Sequence, residues 1–215
     1  MIARADAAAT ADIDRGAERL DGRRQRSERT RRLIIEAYLA LLRESPRVPT
    51  AAQIAQRAGY SVRSVFERFP DMLALRVAVA DQAFAEGLAQ AVVRNLDGDR
   101  PTRIQTQVET RAQTCEKWLP LWRAMNANQG DADELKLRIG IMRTAIRERI
   151  ELMYRPELST LEAVARRNTV IAIESLTDFE CWGRMRELYG LSIAEARAVW
   201  GLAIDRLLPP TPDPH

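Results

Sequence analysis

The sequence predicts an all-α chain, and three observations carry that expectation. Apolar residues recur at spacings of three and four through most of the length, and the strict alternation of a half-buried strand is not seen. Residues suited to starting helices stand ahead of those runs: Thr50 with Gln53, Ser159 with Glu162 and Ser192 with Glu195 each have the form of a capping box. Glycine and proline punctuate the ends, at Gly59, Gly98, Pro120, Gly130, Gly190, Pro209 and Pro210.

At 215 residues the chain can bury a substantial core. Residues 1–26, rich in Ala, Asp and Arg without sustained periodicity, read as a mobile basic arm. The first helix is expected from Ser27 to Glu44, with Ile34, Tyr38, Leu41 and Leu42 on one stripe, and two prolines before Thr50 end it. Thr50 opens a short helix with Ile54, Ala55 and Ala58 on one face, and Gly59 supplies a left-handed stop. A second helix restarts at Ser61, its apolar positions Val62, Val65, Phe66 and Phe69 at helical spacing and Phe66 read as core. Small Ala55, turn Gly59 and Val65 together give the spacing of a helix-turn-helix.

Asp71 caps a long helix expected to reach about Leu96. A helix from Thr102 to Trp118 is expected to be interrupted at Pro120, with a short helix carrying Trp122 and Met125 beyond it. Asp131 and Glu134 start the next, which runs to about Tyr154. Ser159 opens a helix predicted to continue to Tyr189, where Gly190 stops it, and Ser192 opens the last, which ends before Pro209. The division expected is thus 1–26 arm, 27–70 helix-turn-helix domain, 71–208 larger helical domain and 209–215 proline-rich tail.

Charge is distributed unevenly over these parts. Residues 1–70 carry 14 arginines against 9 acids, whereas the remainder carries 19 Lys and Arg against 21 acids. A basic excess coinciding with a helix-turn-helix is what phosphate binding requires. Between Arg23 and Arg32 six arginines face Glu28 alone, a run that suits either a phosphate backbone or a solvated helix start. On the second motif helix Val62, Arg63, Ser64 and Arg68 can reach a major groove, and Arg63 is the first choice for gripping a guanine edge. Thr50 and Ser61, which cap their helices in any case, also suit phosphate oxygens.

From Arg31 to Leu75 the sequence resembles the DNA-binding domain of the tetracycline-repressor (TetR) family. The resemblance rests on Arg31, Ile34, Ala37 and Leu41 in the first helix, Thr50, Ile54, Ala55, Ala58 and Gly59 in the second, and Phe66, Phe69 and Leu75 beyond. It departs from the usual pattern at Phe66, commonly tyrosine, and Met72, commonly lysine, so that either backbone anchoring falls to Arg68, Arg76 and the arginines before Leu33 or affinity is lower than usual for the fold. The link before Thr50 also lacks the family's glycine. The resemblance implies a homodimer built from the last two helices and a small-molecule effector bound between the middle ones.

Two stripes fit such a dimer seam. Leu161, Val164, Asn168, Ile171, Ser175, Phe179 and Trp182 form one, and Ile193, Ala196, Trp200, Ala203 and Leu207 the other. Ile173, Leu176, Val199 and Leu202 are left to face each protomer's own core. Cys115, Trp118, Trp122 and Met125 around Pro120, with Met142 on the next helix, are the candidate effector-binding residues; a well-filled core is the plainer reading of the same residues.

An enzyme is not expected. The sole histidine is His215, the two cysteines have no activating partner in a recognisable motif, and no metal-ligand spacing, cofactor motif or phosphate loop occurs. No secretion signal is evident and no run approaches about 18 uncharged apolar residues, so a cytoplasmic protein without membrane contact is expected. The expected function is a DNA-binding transcriptional repressor that leaves a palindromic double-stranded operator on binding an effector. The alternative is a constitutive or architectural DNA-binder whose C-terminal domain meets a protein partner.

Overall fold

The computed structural model describes residues 3–45, 47–90, 94–127 and 133–213, with 3–21, 23 and 90 as backbone alone. Helices and their connections account for the described residues, and no strand occurs among them. The chain divides into two compact units, Met1–Val79 and Ala80–His215.

The first unit contains α1 (Ala3–Glu44), α2 (Ala51–Ala58), α3 (Val62–Arg68) and the start of α4 (Met72–Gln90). Its core is the stripe of α1, Ile34, Tyr38 and Leu42, closed by Ile54 and Ala55 of α2, Val65 of α3 and Phe69. Burial drives the Tyr38 hydroxyl up to about 12, against the opposing field of Arg76. The helix expected from Ser27 begins at Ala3. Seven alanines between Ala3 and Ala17, and no proline before the end of α1, favour helix where apolar periodicity is lacking. The division expected after Pro70 falls at Val79, because Leu75, Ala78 and Val79 are buried with the first unit.

The second unit is organised on α5 (Arg100–Ala127), which packs on α9 (Phe179–Gly183) and α10 (Ile193–Leu207), while α6 (Asp133–Met153) packs on α8 (Ala163–Leu176). A short α7 (Arg155–Leu158) links α6 to α8, and a π-helical turn, Arg184–Leu188, extends α9. Several expected boundaries are corrected. Pro120 sits inside one continuous α5; it removes one backbone bond, yet Trp118, Leu119, Leu121 and Trp122 on both sides are buried and hold the helix together. The helix expected to reach Leu96 has ended by Arg94, where Asn95 takes a left-handed conformation, φ 57°, and accepts from Gly98 N–H.

Ser159 forms no capping box, because its hydroxyl donates to the Pro156 carbonyl at 2.8 Å and α8 starts later, after Glu162. The helix expected to continue to Tyr189 breaks at Thr177, whose own hydroxyl turns back to Ile173 O at 2.7 Å, and Asp178 caps a new start by accepting from Cys181 N–H at 2.6 Å. The stop at Gly190, φ 64°, and the Ser192–Glu195 capping box are both present. The proline-rich tail is tied down: Pro209 O accepts from Arg100, and Thr211 donates to Glu157 at 2.5 Å.

Candidate nucleic-acid interface and apolar cavity

The α2–α3 motif is held by local bonds that its sequence dictates. Gln53 N–H donates to Thr50 Oγ1 at 3.3 Å and Thr50 N–H to Gln53 Oε1 at 2.9 Å, a complete capping box. Gly59, at φ 75°, ends α2 and turns its N–H back to Ala55 and Gln56, a conformation that a side chain would strain. Ser64 N–H donates to Ser61 Oγ at 3.1 Å to start α3. Val65 is fully buried between the two helices, which fixes the face that α3 turns outward.

That outward face consists of Val62, Arg63, Phe66 and Glu67, all exposed. The Arg63 side chain is 89% exposed and gives its Nε–H to Glu67 Oε1 at 3.1 Å. Phe66, expected in the core, is 42% exposed, because Val65 and Phe69 fill the inner positions and it lies about 100° round the helix from Val65. Together with Val62 it forms an apolar patch on that face. Ser64 and Arg68 are only partly exposed, and Thr50 and Ser61 lie open at their helix starts. Arg31 is committed inward: it donates to the Arg68 carbonyl at 3.2 Å and lies 4.4 Å over the Phe69 ring.

The second unit holds a cavity of about 380 Å³ between α4, α5, α6 and α9. Of the residues singled out from the sequence, Trp118, Trp122, Met125 and Met142 line it and Cys115 does not. Cys115 lies fully buried in the core, and desolvation pushes its thiol up to about 11, which disfavours a reactive thiolate. Phe179 stacks on Trp122 with centroids 5.0 Å apart. Three arginines also reach the lining. Arg138 is bound to both oxygens of Asp81, at 2.6 and 3.0 Å, and Arg149 donates to Gln107 at 2.7 Å with its pKa lowered by burial. Arg111, on α5, is fixed by donating Nε–H to the Thr177 carbonyl at 2.8 Å.

No family model and no curated relative matches the sequence. Solved structures do. A TetR-family transcriptional regulator from Streptomyces coelicolor superposes with TM-score 0.65 at 18% identity, covering 82% of this chain and 81% of its own. A protein classed with the TetR-family regulators from Rhodococcus sp. gives 0.64 at 17%, covering 83% and 98%, and one from Mesorhizobium loti gives 0.57 at 17%, covering 85% and 96%. The chain has the TetR-family fold.

Within this TetR-type fold, the two stripes expected to form a seam fare differently. On α8, Val164, Asn168, Ile171 and Ser175 face outward and Leu161 before it is half-buried, while Ile173 turns inward as expected. Phe179 and Trp182, the continuation of that stripe, are buried in the second unit, because the break at Thr177 starts α9 afresh. On α10 the faces are exchanged. Ala196 and Trp200 are buried, Ala203 and Leu207 half-buried, and Val199 and Leu202, at 46% and 62% exposed, point outward, with Ile193 exposed at the helix start. Leu176, assigned to the core, is exposed at 41%. Trp200 is drawn inward by Trp182, whose ring centroid lies 4.7 Å away.

Proposed function

We propose that this chain is a DNA-binding transcriptional regulator that acts as a cytoplasmic homodimer, a repressor released from a palindromic operator by a small molecule. The observation that carries the DNA-binding half is the α2–α3 pair, capped at both starts and presenting Val62, Arg63, Phe66 and Glu67 on one open face. Such a helix suits the major groove, with Arg63 on guanine O6 and N7 and Val62 or Phe66 on a thymine methyl. The basic excess of residues 1–70 supplies the phosphate attraction, to which the exposed Arg24 and Arg26 of α1 contribute. Among the described residues no helix is long and apolar enough to cross a membrane.

Arg63→Ala tests the reading. It is expected to cost ~1–3 kcal/mol of specific binding and to relax the preference at one base pair per half-site, measured by titrating selected against scrambled duplexes. Equal loss on both duplexes would reduce Arg63 to a phosphate contact.

Dimerisation is supported by the outward apolar residues Val164 and Ile171 of α8 and Val199 and Leu202 of α10, which in a monomer would stay wet. Replacing Val199 and Leu202 together by Asp is expected to give folded monomers at micromolar protein, with operator affinity reduced at least ~100-fold, because one copy holds one half-site. Sedimentation together with circular dichroism checks this, and an intact dimer places the seam elsewhere. The cavity of about 380 Å³ falls within the size range of small-molecule sites and is the proposed effector site. An effector would then favour a dimer whose recognition helices no longer match the half-site spacing.

A further inference from the structure

The cavity is rich in hydrogen-bond donors and short of negative charge, and this imbalance defines what fits it. Arg111 is 8% exposed and its Nε–H is taken by Thr177 O, while its guanidinium carbon sits 4.7 Å from the Phe179 ring centroid. None of the described residues accepts from its two terminal nitrogens or forms an ion pair with it. The indole N–H groups of Trp118 and Trp122, both on the cavity lining, are buried without an acceptor among the described residues. Buried donors of this kind normally find partners. Gln107 Oε1 already receives Arg149, and Thr110 and Thr114 donate their hydroxyl protons to their own helix, which leaves their oxygens as neutral acceptors that carry no counter-charge. Glu148, the single carboxylate among the lining residues, is exposed to solvent, and the charge of Arg138 is answered by Asp81. The remaining surface is aromatic and sulfur-rich, from Phe84, Trp118, Trp122, Phe179, Met125 and Met142.

Resting on the reading of this cavity as the effector site, we propose that the effector is an aromatic carboxylic acid. Its carboxylate lies end-on against the two terminal nitrogens of Arg111, the fork geometry in which a guanidinium holds a carboxylate by two bonds. Its ring system lies against Trp122 and Phe179, whose stacked pair provides an apolar face. A neutral ligand would leave the guanidinium without a counter-charge, and a cationic one would be repelled by Arg111 and Arg149 together. The charge-bearing group is held by the break in the helical run at Thr177–Asp178, which frees the carbonyl that fixes Arg111.

The test is a headgroup series on one ring system, using 2-naphthoate, 2-naphthalenemethanol and 2-naphthylmethylammonium, followed by quenching of tryptophan fluorescence and by calorimetry. Full-length protein is expected to bind naphthoate at least ~10-fold more tightly than the alcohol, the share of one charge-assisted hydrogen bond, with no saturation by the ammonium compound. Arg111→Met is expected to bring naphthoate to about the affinity of the alcohol, the loss falling mainly on naphthoate. The headgroup preference of the unaltered protein is measured independently of whether that variant folds. Saturable binding of the alcohol equal to or tighter than naphthoate, or a preference that survives Arg111→Met in a folded variant, overturns the carboxylate and leaves the cavity as a ligand site. Saturable binding by none of the three overturns both.

Discussion

Trp200→Ala is expected to lower the folding stability of the second unit by ~3–5 kcal/mol, the cost of truncating a large aromatic that neighbours cannot replace. The side chain is 1% exposed, tilted against Trp182 at 4.7 Å, and flanked on α10 by buried Ala196 and Ile204. The loss is a property of each protomer. Urea denaturation should therefore show a lowered midpoint with little dependence on protein concentration, beyond the common dependence of any dimer. The contrast with Val199 and Leu202, one and two residues away on the outward side, is the discriminating part. Those two should change association while sparing the protomer's core, and Trp200 the reverse. A Trp200→Ala protein of unaltered stability that sediments as a monomer would return this residue to the seam.

Glu157→Ala is expected to have a comparable effect, ~3–5 kcal/mol, by a different route. Its carboxylate is fully buried, accepts from Arg103 and from Thr211 at 2.5 Å, and faces an Arg103 side chain that is 5% exposed. Arg103 also donates to Gly98 O at 3.0 Å, so the pair joins α7, the start of α5 and the C-terminal tail. Removing the acid strands a buried guanidinium. Removing both charges, as Arg103→Met with Glu157→Leu, should recover most of the stability, because the desolvation of the two ions is then also relieved. A double-mutant cycle on denaturant midpoints measures this, and equal destabilisation by the single and double variants would show that packing rather than charge is responsible. The nearby Tyr154 hydroxyl is raised in pKa by burial and, less, by Glu157.

What was legible in the sequence was what local chemistry decides. Thr50 with Gln53 and Ser192 with Glu195 read as capping boxes and are capping boxes, and Gly59 and Gly190 are left-handed where helices stop. Ser159 with Glu162 has the same pattern and fails, because α7 intervenes and takes the Ser159 hydroxyl to Pro156. Pro120 reads as a break because propensity speaks for the isolated helix, whereas burial on both sides decides it in the fold. The two apolar stripes of α10 could not be ranked from spacing alone, since each satisfies a three-and-four rule; Trp182 decides which one turns in. Phe66 was misplaced for the same reason, with Val65 and Phe69 already filling the inner face. The place of Arg111 is not legible in the sequence. Its signal was the Thr177–Asp178 pair, a helix-start signature hidden inside an apolar run, and its partner lies across the fold where no sequence window reaches.

The central claim, that α3 of each of two copies reads a base sequence, is tested most directly by selecting bound duplexes from a random double-stranded pool with the full-length protein. The account predicts enrichment of an inverted repeat whose half-site centres are about 34–36 Å apart, or a multiple of one helical turn, and loss of one base preference per half-site in Arg63→Ala. Retention of duplexes with no enriched sequence, or enrichment of a single unrepeated site unaffected by Arg63→Ala, would contradict it.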